Sequence, residues 1–103
     1  MERSEISDKV LLNTIEALTV KIGQRIEQHG RGAYVSHHEM LGIVTEEYKE
    51  LIDAVQSNDP VDVGNELMDV AVSAIYSIAS MFQKEEELKD VKAARELFGI
   101  DKE

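Results

Sequence analysis

Cysteine and tryptophan are absent from this chain of 103 residues, and proline occurs once, at Pro60. The lack of cysteine excludes disulfides and zinc sites built on thiolates. No apolar run approaches the ~20 residues that a membrane-spanning helix needs. The amino terminus is charged and shows no apolar core of a secretory signal. We therefore expect a cytoplasmic protein that neither crosses nor binds a membrane.

Basic residues are also scarce, because Asp and Glu outnumber Lys and Arg by 21 to 11 and the formal net charge is −10. Such a chain has no basic surface with which to bind DNA or RNA, so a nucleic acid polymer is not an expected partner. If the substrate is itself an anion, something positive must be recruited to the site. A metal ion would serve that purpose.

The length predicts a single domain over residues 1–103. Three or four helices of this size leave much apolar surface uncovered when they pack alone. We therefore expect self-association, as a homodimer or a homotetramer.

Helical periodicity dominates the chain, and no alternating run of β-branched residues bounded by turns indicates a strand. The fold class is all-α: a bundle of three long helices plus a C-terminal helix, completed by oligomerisation. The four apolar-periodic segments are residues 7–29, 36–57, 60–82 and 84–98. The third is expected to end at Met81 or Phe82 and to be the most buried. Whether the last segment continues the third helix or folds back stays open.

Local signals mark most helix ends. Ser36 and Glu39 form a capping box at the start of the second helix. Asp59 is a good N-cap for the third helix, and Pro60 then takes the first helical position. The remaining end signals are Ser7 or Asp8 before the first helix, Gly30 and Gly32 after it, and Gly99 after the last segment.

Five carboxylates on the second and third helices follow the patterns E-E-x-x-E and E-x-x-D: Glu46, Glu47, Glu50, Glu66 and Asp69. Residues three or four apart share one face of a helix. Glu47 interrupts an apolar face of the second helix, and Glu66 is flanked on its helix by Val63, Leu67 and Val70. Partly buried charge is costly unless it is compensated.

No Lys or Arg occurs from residue 50 to residue 83. Compensation must come from elsewhere in the fold, from protons or from a cation. Ligands that offer only oxygen select Mg²⁺ or Mn²⁺. Asp69 stands where the His of a di-iron Glu-x-x-His pair would be, and His37-His38-Glu39 is not H-E-x-x-H. Mg²⁺ keeps coordination positions for water and substrate phosphates, which suits hydrolysis at a phosphoryl group.

Simpler interpretations exist for most of these residues. A solvated acidic face is the alternative for the five carboxylates, and it is the favoured one for Asp53 and Asp62. Tyr76 is more often a core tyrosine than a platform on which a base stacks. Ordinary surface is also favoured for the polar residues around the first loop: His29, Arg31, Tyr34, His37 and His38.

Residues 41–81 resemble the core of the all-α, MazG-like nucleoside triphosphate pyrophosphohydrolases, whose relatives include dimeric dUTPases and phosphoribosyl-ATP pyrophosphohydrolases. The resemblance is carried by both carboxylate motifs, by the fifteen residues between Glu50 and Glu66, and by Asp59 and Pro60 between them.

The resemblance implies cleavage of a nucleoside triphosphate between its α and β phosphates, which gives a monophosphate and pyrophosphate. It assigns four Mg²⁺ ligands by position: Glu47, Glu50, Glu66 and Asp69. Glu46 would orient or deprotonate the attacking water, or bind a second metal. The resemblance also implies a dimer or tetramer, and suggests housecleaning of the nucleotide pool.

The chain departs from small relatives that place Lys, Arg or Asn late in the third helix, because residues 75–81 contain none. The candidate substrate-binding residues are Arg25, Arg31, Lys84, Arg95 and Tyr76, with Lys89 and Lys92 as further cations near the C-terminus. The rival hypothesis is a non-catalytic helical module that binds a nucleotide or a protein.

Overall fold

A computed structural model describes residues 2–87, 95–96 and 99. In that part of the chain three α-helices follow one another and no strand occurs: α1 (Asp8–His29), α2 (His37–Ser57) and α3 (Pro60–Glu87). The all-α class and the three long helices are confirmed. The chain divides into two compact units after Arg31, of which the first contains α1 and the second contains α2 and α3.

Both ends of α1 are set by the residues that the sequence marks. Ser7 is the N-cap, and its Oγ accepts a hydrogen bond of 3.2 Å from the backbone N–H of Val10. At the other end Gly30 adopts a φ of 83° and donates its N–H to the carbonyl of Ile26 at 2.7 Å. A left-handed φ favours glycine, because glycine has no Cβ to clash with the backbone.

The start of α2 is a capping box with one difference from the prediction. Ser36 Oγ accepts from the N–H of Glu39 at 3.1 Å, as expected. The carboxylate of Glu39 accepts from the N–H of Val35 at 2.7 Å instead of from that of Ser36. The helix ends where Asn58 takes a left-handed conformation, with φ 61° and ψ 34°.

The predicted start of α3 is confirmed, but its predicted end is wrong. Asp59 Oδ1 accepts from the N–H of Val61 at 3.0 Å, and Pro60 is the first helical residue. The helix continues past Phe82 to Glu87, because residues 83–87 contain no stop signal such as Gly or Pro. The predicted C-terminal helix over residues 84–98 therefore begins inside α3.

The rest of that C-terminal prediction falls mainly outside the described residues. Residues 88–94 and 97–98 are not among them, whereas Arg95 and Glu96 are helical. Gly99 has a φ of 68° and donates its N–H to the carbonyl of Glu96 at 3.1 Å, as a helix stop should.

Helices α2 and α3 pack against each other along their length. The buried residues of the described chain lie mostly on α3, which confirms it as the most buried helix: Ala54, Val72, Ser73, Tyr76, Ser77 and Ser80. The three serines suit this position because each hydroxyl donates to a backbone carbonyl three or four residues earlier, so that no buried donor is left unpaired.

The loop before α2 is tied to α3 by two hydrogen bonds and a ring contact. Tyr76 Oη donates to the carbonyl of Gly32 at 2.8 Å, and the N–H of Tyr34 donates to Ser80 Oγ at 3.0 Å. The rings of Tyr34 and Tyr76 lie 5.1 Å apart at an angle of 60°, a favourable tilted arrangement. These contacts fix the entry of the chain into α2.

Replacing Tyr76 by Phe removes the hydrogen bond to the carbonyl of Gly32 and keeps the aromatic ring. We expect the free energy of unfolding to fall by ~1 kcal/mol, because the carbonyl of Gly32 loses its donor. Urea unfolding followed by circular dichroism measures the change. Tyr48→Phe is the matched control, since Tyr48 is 54% exposed and should give no change. Equal stability of the two variants would contradict the role of the tie.

Large apolar side chains stay exposed on the helices of both units. On α1 they include Leu12 and Ile15, which are 67% and 61% exposed. On α3, Leu67 is 52% exposed although the sequence pattern placed it beside Val63 and Val70, which are half-buried. Among the described residues, no helix combines the length and apolarity that crossing a membrane requires.

Candidate metal centre

Helix α2 turns Glu47 toward α3. Glu47 is half-buried, and it shares one face of the helix with Met40 and Leu51, which are half-buried, and with Ala54, which is buried. This is the apolar face that the sequence predicts for Glu47. Its carboxylate therefore lies at the contact between the two helices.

Helix α3 contributes Glu66 and Asp69, which lie one turn apart and are both half-buried. Glu47, Glu66 and Asp69 each offer a carboxylate oxygen such that all three oxygens lie within 4.8 Å of one another. Around an octahedral ion with ligands at 2.0–2.1 Å, oxygen pairs are ~3 to 4 Å apart. The spacing is therefore close to that of three ligands of one ion.

Two oxygens of this cluster are buried without a partner. Glu47 Oε2 and Glu66 Oε1 are shielded from solvent and make no hydrogen bond. A buried carboxylate oxygen without a donor is costly, and native proteins seldom leave one unpaired. On α3 no Lys or Arg occurs before Lys84, so this helix has no cation near the cluster that would neutralise the carboxylates. The donor set thus fits a hard divalent cation.

The electrostatics of the cluster also favour a bound cation. Burial raises the pKa of Glu47 to about 6, with smaller contributions from the charges of Glu50, Asp69, Glu66 and Glu46. The pKa of Glu66 is also raised, first by burial and then by Asp69 and Glu50. In both cases the protein disfavours the ionised carboxylate, which a cation would reverse.

These shifts make the stability of the metal-free protein depend on pH. A carboxyl whose pKa is raised in the folded state holds its proton more tightly there than in the unfolded chain. The free energy of unfolding should therefore fall as the pH rises from about 4.5 to about 6, the window set by Glu47. Thermal melts in EDTA across this range measure it.

Added Mg²⁺ provides the control for that titration. At pH 7 the ion should raise the melting temperature, and at pH 4.5 protons should compete with it and remove most of the effect. Stability that rises from pH 4.5 to pH 6 in EDTA would contradict a cluster of mutually repelling carboxylates.

The two remaining carboxylates of the motifs stand at the rim of the cluster. Glu50 is exposed, and it lies close enough to Glu66 to raise the pKa of that carboxyl. Glu46 is exposed and lies close enough to raise the pKa of Glu47. Asp53 and Asp62 are exposed, in keeping with the solvated positions favoured for them.

Tyr76 and Lys84, the two candidate substrate-binding residues on α3, do not join the cluster. Tyr76 is buried and donates its hydroxyl to the loop, so little of its ring is available to a base. Lys84 lies fifteen residues after Asp69 on one continuous helix, about 22 Å along the axis. Arg95 is exposed, and Lys89 and Lys92 lie outside the described residues.

Two further candidates belong to the first compact unit. Arg25 is half-buried on α1, and its guanidinium donates to the carbonyl of Gly30 at 3.5 Å. Arg31 is exposed in the following loop.

The sequence was compared with known families and proteins. The model of the MazG nucleotide pyrophosphohydrolase domain matches residues 35–98, more than half of the chain. The chain belongs to the MazG family. Neither the curated proteins nor the solved structures give a match. The MazG match includes α2 and α3, and with them all five carboxylates of the two motifs.

Membership in the MazG family confirms the resemblance noted in the sequence and supports a nucleotide pyrophosphohydrolase activity in general. Arg25 and Arg31 fall outside the matched MazG residues, whereas Lys84 and Arg95 fall within them.

Proposed function

We propose that this chain is a Mg²⁺-dependent nucleoside triphosphate pyrophosphohydrolase that releases a nucleoside monophosphate and pyrophosphate. The observation that carries the proposal is the pair of buried, unpartnered oxygens on Glu47 and Glu66, within a cluster that also contains Asp69. The MazG match supports the substrate class. Removal of surplus or non-standard nucleotides from the cytoplasmic pool is the role that we infer.

Four carboxylates hold the metal in this proposal. Glu47, Glu66 and Asp69 supply the converging oxygens, and Glu50 completes the set from the rim. At these residues Mg²⁺, or Mn²⁺ in its place, would offset the carboxylate charge and would supply a Lewis acid for phosphate and water. An acidic protein can thereby accept an acidic substrate.

Glu46 is the proposed proton acceptor. It is exposed beside Glu47, so a water molecule can reach it without displacing a packed side chain. Its carboxylate orients that water and accepts one proton as the water oxygen attacks a phosphorus of the α–β anhydride. The bond from that phosphorus to the bridging oxygen breaks, the bridging oxygen leaves on the other product, and Glu46 releases its proton to that product or to solvent.

We further propose that the protein is a homodimer or homotetramer. The exposed apolar side chains on α2 and α3 support this, because a monomer with such a surface is prone to associate. Examples are Tyr48, Val55, Leu67, Ile75 and Ile78, which are 37–56% exposed.

One observation favours the rival hypothesis of a non-catalytic module that binds a nucleotide or a protein. Between residue 50 and residue 83 there is no Lys or Arg, so α3 offers no cation before Lys84 for the departing pyrophosphate. A module that only binds does not need one.

Product analysis separates the two hypotheses. The purified protein is incubated with ribo- and deoxynucleoside triphosphates, with Mg²⁺ or with EDTA, and the products are identified by ³¹P NMR. Monophosphate and pyrophosphate that form only with Mg²⁺ are the expected result. Diphosphate and orthophosphate would mean that another bond is cut. No turnover together with Mg²⁺-dependent nucleotide binding would favour the module.

A further inference from the structure

A pocket of about 700 Å³ lies at the end of the α2–α3 pair, where the loop over residues 33–36 meets the first turn of α2 and the last turns of α3. Its volume is that of sites for small organic ligands. The apolar part of its lining includes Met40 from α2 and Met81 from α3, both half-buried. The buried Ser80, bonded to the N–H of Tyr34, holds the loop in place on one side.

This pocket is separate from the carboxylate cluster. His37 lines it and lies ten residues before Glu47, about 15 Å along α2. Lys84 lines it too, about 22 Å along α3 from Asp69. Ser73 and Ser77, one and two turns after Asp69 on α3, are buried. At these axial distances a phosphate held at the cluster does not contact His37 or Lys84.

The described lining of the pocket carries a cationic side chain, whereas the chain as a whole is acidic. None of the lining residues that the structure describes is acidic, although the chain carries 21 acidic residues. The lining includes the ammonium of Lys84, the imidazole of His37 and the polar side chains of Ser36 and Gln83.

We propose that this pocket is a second ligand site, which takes a small anion attached to a flat, largely apolar ring. The ring packs against Met40 and Met81, whose flexible thioethers adapt to flat surfaces. The anionic group lies between Lys84 and His37, which supply hydrogen-bond donors in a lining whose described residues include no carboxylate. Nucleoside monophosphates are one such class of ligand and serve as probes.

Methyl NMR of the full-length protein with ¹³C-labelled methionine tests the proposal. The chain has four methionines, of which Met40 and Met81 line the pocket and Met68 lies between Glu66 and Asp69 in sequence. Adenosine monophosphate is titrated in EDTA, so the outcome does not depend on metal binding or turnover. We expect saturable shifts of Met40 and Met81, and little change at Met68.

Two further arms define the ligand chemistry. Adenosine, which lacks the anion, and inorganic phosphate, which lacks the ring, should each bind at least ~10-fold more weakly than adenosine monophosphate. The Lys84→Glu variant should bind adenosine monophosphate with a dissociation constant at least ~10-fold higher than that of the wild type. The matched charge reversal Lys9→Glu, at an exposed position of α1, should keep this constant within ~2-fold of the wild-type value.

Three results would overturn the second site. The first is no shift of Met40 and Met81 at millimolar probe, and the second is a shift confined to Met68. The third is equal loss of affinity in Lys84→Glu and Lys9→Glu, which would indicate attraction by overall charge instead of a site. A failure of turnover in the product analysis leaves these expectations unchanged.

Discussion

Glu66→Gln should lower the turnover number at saturating Mg²⁺ by about a thousandfold or more, and should weaken Mg²⁺ binding. Glutamine has nearly the shape of glutamate but lacks the charge that holds the ion beside Glu47 and Asp69. Loss of the metal removes several kcal/mol of transition-state stabilisation, and each 1.36 kcal/mol corresponds to a factor of ~10. Steady-state rates and calorimetric Mg²⁺ titrations measure both effects.

The same variant should be more stable than the wild type when no metal is present. One of the repelling carboxylates is gone, and the new amide can donate to Glu47, whose Oε2 has no donor in the wild type. A gain of ~1 kcal/mol corresponds to ~4 °C for a chain of this size. Melts in EDTA at pH 7.5 measure it.

Asp62→Asn is the matched control, because Asp62 lies one turn before Glu66, is exposed and does not belong to the converging oxygens. Its turnover should stay within ~3-fold of the wild type. Full activity of Glu66→Gln would show that Glu66 does not hold the metal. Equal losses in the two variants would show that general negative charge on this part of α3 matters, and not the converging oxygens.

Replacing both Ile75 and Ile78 by Asp should convert the proposed oligomer into monomers. Nine residues at about 100° each place Ile78 on the side of α3 opposite to Asp69, away from the cluster. These isoleucines are 37% and 42% exposed, and burying two charges in an apolar interface is costly. The dissociation constant should rise at least ~100-fold, as measured by analytical ultracentrifugation.

Val61→Asp is the control for that experiment, since Val61 is 71% exposed in the first turn of α3. Far-ultraviolet circular dichroism should show that the double variant stays helical. A wild-type protein that is monomeric at tens of micromolar, or a double variant that associates as tightly as the wild type, would contradict the proposed oligomer.

The helix starts could be predicted because they depend on a few neighbouring residues. Ser36, Asp59 and Pro60 act within one turn of their own positions, and the structure has them where the sequence indicated. The end of α3 was missed because the residues after Phe82 are polar but favour helix, so the loss of the apolar stripe looked like an end.

Features that depend on the approach of distant segments were not predictable. The hydrogen bond from Tyr76 to Gly32 joins residues 44 positions apart, and no local pattern indicates such a pair. The pocket beside Met40 and Met81 was missed for the same reason, since it needs the loop to fold back on α3. The exposure of Leu67 depends on how wide a stripe α2 covers, which periodicity alone does not give.

The carboxylate cluster was predictable in part, because the sequence places charged residues on helix faces that are otherwise apolar. Glu47 lies on an apolar face, and the structure brings its oxygen within 4.8 Å of those of Glu66 and Asp69. The position of Glu50 at the exposed rim was not foreseen, because helical spacing gives the face of a residue and not its depth.

The most direct test of the central claim is a crystal structure of the protein grown with Mn²⁺ in place of Mg²⁺. The anomalous difference map should show a peak between Glu47, Glu66 and Asp69, at coordination distance from an oxygen of each, with Glu50 turned toward it. A map without a peak there, in crystals that hold Mn²⁺ at millimolar concentration, would contradict the account. The cluster would then be a set of carboxyls that share protons.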